Sequence, residues 1–162
     1  MSSYATPEGI VKKRGREICK LLGIYFFPVQ QKGTSNAGIP DDMLNVGGRF
    51  VQIEYKHHMR WDKRNKAAFA TLPTERQIWH MEQSRKCGGI TFVVDDNNIS
   101  ALEEALIFIR DHTDLTIPYM QERMQATPVY WGWTVRQMEM YKRGFGKLEY
   151  IYSGVPRFIE GL

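Results

Sequence analysis

Little in this chain ties it to a membrane or to an oxidising compartment. No apolar run approaches the roughly 20 residues needed to cross a bilayer. The N-terminus, MSSYATPEG, lacks the basic start and apolar block of a secretory signal. Both absences lead to the expectation of a cytoplasmic protein with no membrane partner. Cysteine is scarce as well: Cys19 and Cys87 both lie in helix-like patterns, which argues against a disulfide scaffold and for reduced thiols. With His57 and His58 these cysteines match no zinc-ligand spacing. There is no internal repeat, linker or low-complexity tract.

The 162 residues, 43% hydrophobic and 25% charged, suit one globular domain with a real core. The net charge of +4 is unevenly spread: residues 1–70 carry 12 Lys/Arg against 6 Asp/Glu, and residues 71–162 carry 10 against 12. A basic half fits a polyanionic partner such as nucleic acid, and it fits a basic solvated surface equally well.

Helix punctuation opens the chain. Thr6 is placed to cap, Pro7 suits the first turn and Gly23 the stop. At 100° per residue Glu8, Val11, Gly15, Ile18, Cys19 and Leu22 share one face, with Glu17 opposite. Ile24–Gln30 reads as a strand with an edge or bulge at Pro28, and Gln31–Gly38 as a polar loop. A short strand around Asp41–Val46 then turns through Gly47–Gly48 into a half-buried strand whose Val51, Ile53 and Tyr55 alternate with Phe50, Gln52, Glu54 and Lys56.

Arg60–Lys66 is a basic loop. A second helix follows, with a Thr74/Gln77 capping box and a stop at Gly88–Gly89. Ile90–Val94 is an apolar run expected of a strand covered on both faces. A third helix has Ser100 and Glu103 as its capping box. Beyond His112 the signal weakens, although TVRQMEMYKRG looks helical and KLEYIYSG strand-like. The order α-β-β-β-α-β-α predicts an α/β fold with a mixed sheet and packed helices.

The hairpin carries chemistry. Antiparallel neighbours lie about 5 Å apart, so Asp41 and Glu54 can converge. Carboxylates that close repel unless a cation joins them, and oxygen ligands suit Mg²⁺ or Mn²⁺. Lys56, on the same face, can hold a water or a phosphate oxygen beside such a metal. That set meets the needs of phosphodiester hydrolysis. An E-x-K tripeptide is common, however, and by itself better describes an exposed ion pair on a solvated sheet face.

GIPD (Gly38–Asp41), the Gly-Gly hairpin and FVQIEYK (Phe50–Lys56) resemble the PD-(D/E)XK nuclease core. TPEGIVKKRGREICKLLG, PTERQ and CGGITFVVDD narrow the resemblance to its VRR-NUC branch, over about Thr6 to Asn97. The resemblance implies a restriction-endonuclease-like α-β-β-β-α-β core over residues 1–112. Residues 113–162 would be an extension packed on that core or forming a dimer interface. It also implies a Mg²⁺-dependent nuclease, with Mn²⁺ able to substitute. Asp41, Glu54 and the Tyr55 carbonyl would be ligands, Glu8 would reach the metal directly or through water, and Lys56 would be the catalytic lysine. Gln77 matches a glutamine of the family's second helix. Stand-alone members resemble Holliday junction resolvases, so a homodimeric endonuclease on branched DNA is expected, in a phage or mobile-element repair or recombination role. Nicking or trimming of ordinary DNA is the alternative, and a non-catalytic DNA binder is the rival of another class.

Two departures stand out. Asp42 occupies a position that is usually apolar, and the last ~50 residues have no counterpart. Candidate DNA contacts are Lys32 and Ser35 in the loop before Asp41, His58 on the Glu54–Lys56 face, and Arg60, Lys63, Arg64 and Lys66, which would position the DNA backbone without reading sequence. The aromatic tail around Val129–Trp133 reads as a base-stacking surface, a dimer interface or, by default, core packing.

Overall fold

Helix α1 (Pro7–Leu21) starts where its punctuation predicts: the Thr6 hydroxyl accepts from the Gly9 N–H at 2.9 Å, and Pro7 sits in the first turn. Gly23 leaves the helix at φ 69°, a conformation glycine adopts without strain. The computed structural model describes residues 6–29, 38–57, 72–150 and 156–160. Strand β1 (Tyr25–Pro28) is shorter than the predicted Ile24–Gln30 and ends at its proline. It pairs antiparallel with β2 (Asp42–Val46), which pairs antiparallel with β3 (Arg49–Tyr55). The β2–β3 turn has both glycines at positive φ, 58° and 86°, the primed geometry that matches strand twist, and Asn45 Oδ1 accepts from the Gly48 N–H at 2.8 Å.

Helix α2 (Glu75–Lys86) has the expected capping box between Thr74 and Gln77. Strand β4 (Ile90–Val94), buried throughout, runs parallel to β3. The sheet is therefore mixed, in the order β1-β2-β3-β4. A 3₁₀ turn (Ile99–Ala101) leads into α3 (Leu102–Asp111). The predicted Ser100–Glu103 capping box does not form, because the turn already holds Ala101 in a helical conformation and no side chain caps either start. Asp95 and Asn98 shape this entry instead: Asp95 Oδ1 accepts from the Asn97 and Asn98 N–H groups, and Asn98 Oδ1 accepts from the Asp95 N–H, each at 2.8 Å.

Helix α4 (Ile117–Met124), capped by Thr116, falls where the sequence signal was weak. The predicted helix near residue 135 is α5 (Val135–Lys142), with its own capping box between Thr134 and Gln137. A hairpin of β5 (Gly146–Tyr150) and β6 (Pro156–Glu160) follows.

Two cores hold the layers together. On one sheet face, Val51, Ile53, Tyr55, Phe92 and Val94 pack with Val11 and Cys19 of α1 and with Leu102, Leu106 and Ile109 of α3. On the other, Val93 packs with Ile78 and Met81 of α2, Met138 of α5, Trp131 and Trp133. Residues 129–131 run along the outer edge of β4, where the Val93 N–H donates to the Val129 carbonyl and the Trp131 N–H to the Thr91 carbonyl, both at 2.9 Å. Trp131 and Trp133 are therefore core residues, which removes them as a stacking surface. These contacts also correct the reading of β3 as half-buried. Apart from its first two residues it is buried on both faces, because α2 and the tryptophans cover the Gln52–Glu54 side.

The architecture is α/β, a four-stranded mixed sheet flanked by helices. Among the described residues no helix is long and apolar enough to cross a membrane.

Candidate metal centre

Three elements bring one carboxylate each to the end of the sheet where β2 begins and β3 finishes. Glu8 comes from the first turn of α1, Asp41 immediately precedes β2, and Glu54 is the penultimate residue of β3. An oxygen of each lies within 4.8 Å of the others. Local structure explains the convergence. The β2–β3 register pairs Asp42 with Ile53, so Asp41 falls beside Glu54 and Tyr55. The Tyr55 N–H donates to Asp41 Oδ2 at 2.9 Å, which fixes that carboxylate against the β3 backbone. Glu8, on the inward edge of α1, is half-buried, while Glu17 is exposed.

Lys56 follows β3 directly. Its N–H donates to the Val94 carbonyl at 2.9 Å, and its ammonium lies 3.5 Å from Glu54 Oε2. Lys12, one helical turn after Glu8, places its ammonium 3.2 Å from Asp41 Oδ1. Three carboxylates thus face two lysines. Asp41 and Glu54 are 7% and 2% exposed, and two charges at that separation repel by roughly 3–4 kcal/mol at an effective dielectric of about 20. Burial pushes the Glu54 carboxyl well above the usual range; Asp41 adds to the rise and Lys56 opposes it. Glu8 is also raised, first by burial, against the pull of Lys56.

Glu54 Oε1 is buried and accepts no hydrogen bond among the described residues. A buried carboxylate oxygen without a donor is costly, and a hard cation satisfies it while removing the repulsion. The all-oxygen donor set therefore fits Mg²⁺ or Mn²⁺.

Asp42, the residue that departs from the expected apolar position, is fully buried on the opposite sheet face. The Arg16 guanidinium grips it there, with Nε 3.0 Å from Oδ2 and Nη2 2.7 Å from Oδ1. Burial still lifts the Asp42 carboxyl above its ordinary value, with Arg16 pulling the other way.

The described contacts of Gln77 are those of its capping box: its Oε1 accepts from the Thr74 N–H at 2.8 Å, and its own N–H donates to Thr74 Oγ1 at 3.2 Å. They serve the start of α2 and do not join Gln77 to the carboxylates. Lys32, Ser35, His58, Arg60, Lys63, Arg64 and Lys66 lie outside the described residues.

Lys12 and Arg16 went unnoticed in the sequence, although Glu8, Lys12 and Arg16 are four apart and so form one row along α1. That spacing was the available signal. Gln52, left without a role, is 5% exposed, and its Oε1 is buried without a partner. No protein-family model, curated protein or solved structure matches the chain.

Proposed function

We propose that this protein is a divalent-metal-dependent nuclease with the restriction-endonuclease-like core of the PD-(D/E)XK superfamily, VRR-NUC branch. One observation carries the reading: three carboxylates from three separate elements meet within 4.8 Å beside Lys56, and one buried carboxylate oxygen has no donor among the described residues. A purely structural sheet end has no use for such an arrangement, and a protein that only binds DNA is poorly served by negative charge facing phosphate.

Asp41, Glu54 and the Tyr55 carbonyl would hold the ion, with Glu8 reaching it directly or through water. When bound, the ion supplies a water of lowered pKa and positive charge beside the scissile phosphate. Lys56 places its ammonium where negative charge develops on the phosphate oxygens and can hydrogen-bond the attacking water. Lys12 neutralises Asp41 and keeps that carboxylate in place against Tyr55.

The substrate proposed is DNA, cut internally and selected by branched structure, by a cytoplasmic homodimer whose two-fold symmetry would match a four-way junction. The test uses purified protein with Mg²⁺ or Mn²⁺ on single-stranded, linear duplex, flapped and four-way-junction DNA, alongside Lys56→Ala. Metal-dependent cleavage concentrated on the junction, and lost in the variant, supports the reading. Equal cutting of duplex and junction would overturn the branched-DNA assignment. Absence of cleavage on every substrate would leave a nuclease-like DNA binder.

A further inference from the structure

Gln52 and Glu54 are two apart on β3, so their side chains leave the same sheet face from Cα atoms roughly 6.5–7 Å apart. Both residues are almost wholly buried, at 5% and 2% exposure. Each has a buried side-chain oxygen with no hydrogen-bond partner among the described residues, Gln52 Oε1 and Glu54 Oε1. Two unpaired acceptors side by side in a dry layer are rare in folded proteins, and a pair points to a missing donor.

The neighbouring strands do not supply one. Met43, opposite Gln52 on β2, has a thioether, and Val93, opposite Glu54 on β4, has no polar atom. Thr91, opposite Gln52 on β4, already donates its hydroxyl to the Trp131 carbonyl at 2.6 Å and accepts from Arg85 Nη1 at 2.9 Å. Arg85 directs its Nη1 and Nη2 groups to Thr91 Oγ1 and to the Trp131 and Trp133 carbonyls. Trp131 Nε1 is also buried without a partner, but its single N–H can meet at most one of the two acceptors; among the described residues the other donor on this face is the amide of Gln52 itself. Its oxygen and nitrogen exchange places by a half-turn about the terminal torsion, at almost no steric cost.

We infer that Gln52 is a positioning residue of the metal centre, its side-chain N–H donating to Glu54 Oε1 and holding that carboxylate in the orientation that meets Asp41 and Glu8. The inference rests on the metal-centre reading above. That half-turn gives Glu54 Oε1 a donor and takes the Gln52 oxygen out of the position where it has none. It also ties the Glu54 carboxylate to the strand that carries it, as the Tyr55 N–H already ties Asp41. Partners behind metal ligands of this kind set affinity by fixing ligand orientation.

The experiment reads the hydrogen bond and the metal separately. In the metal-free, isotope-labelled protein, NMR measures the through-hydrogen-bond coupling between Gln52 Nε2 and Glu54 Cδ; calorimetry measures Mn²⁺ affinity for wild type, Gln52→Met and Gln52→Leu, each checked for wild-type thermal unfolding. The expected result is a detectable coupling and Mn²⁺ binding on the order of 10–100-fold weaker in whichever variant folds normally. Absence of the coupling overturns the inference. A coupling with unchanged Mn²⁺ affinity in the folded variants would reduce Gln52 to a structural hydrogen bond and also overturns it. Failure of wild type to bind Mn²⁺ sinks the metal centre instead, a result distinguishable because the coupling is read without metal.

Discussion

Arg16 and Asp42 form a fork whose shortest hydrogen bonds, at 3.0 and 2.7 Å, join α1 to β2 inside the core, with the carboxylate fully buried and the guanidinium nearly so. This pair holds the helix that carries Glu8 and Lys12 against the strand that follows Asp41. Arg16→Ala leaves an uncompensated buried charge and is expected to cost about 3–5 kcal/mol in denaturant unfolding. Replacing both partners, Arg16→Met with Asp42→Leu, recovers most of that loss, because an apolar pair of similar volume carries no desolvation cost.

Lys12 supplies part of the positive charge that the carboxylates would otherwise draw from a cation. Lys12→Met therefore lowers the melting temperature of the metal-free protein. Saturating Mn²⁺ then raises the variant's melting temperature by more than it raises that of wild type, since more repulsion is left to relieve. Scanning fluorimetry with and without Mn²⁺ measures the difference, and equal increments would show that Lys12 and the ion do not share Asp41.

Cys19 and Cys87 differ in accessibility and so in reactivity. Cys87 is exposed, while Cys19 is fully buried and its thiol is pushed from 9.0 up to about 12, chiefly by burial with Asp42 adding to it. The native protein is expected to take up one equivalent of alkylating reagent at neutral pH and two when denatured. Because the folded state keeps this proton where the unfolded chain releases it, the contribution of Cys19 to stability is whole below pH 9 and is lost between about 9 and 12. Cys19→Ala flattens that part of the stability–pH curve.

Gly15 lies where α1 crosses Tyr55, and a Cβ there would sit 2.4 Å from the Tyr55 hydroxyl oxygen and 2.5 Å from the ring. Gly15→Ala gains helix propensity but must move a buried ring, for an expected net loss of about 1–3 kcal/mol. Because the Tyr55 N–H anchors Asp41, the same variant is also expected to weaken Mn²⁺ binding in calorimetry. Destabilisation with unchanged binding would separate the ring from the backbone it carries.

Much of the framework was legible because its signals are local. Thr6 and Pro7, the Gly47–Gly48 turn, the Thr74–Gln77 box and the apolar run of β4 each act within a few residues of chain. Misreadings came where a longer-range contact competes. Ser100 and Glu103 satisfy the capping pattern, but Asp95 and Asn98 shape that entry and the 3₁₀ turn takes the position first. Helix α4 spans only eight residues, so its apolar stripe of Ile117, Met120 and Met124 is too short to stand out, although Thr116 caps it. The polar side of β3 looked solvated because nothing in FVQIEYK shows that Trp131 and Trp133, some 80 residues on, close over it.

For the site, the chain itself determined which residues could meet. A two-residue turn sets the β2–β3 register, which places Asp41 next to Glu54, and a period of 3.6 turns Glu8 inward. Tertiary structure alone decided how dry the meeting place is and who else attends it. Burial follows from layers packed across the sheet, and Lys12 and Arg16 acquire their carboxylate partners only when α1 meets the start of β2. A carboxylate's environment, unlike its position on a strand, is a property of everything packed around it.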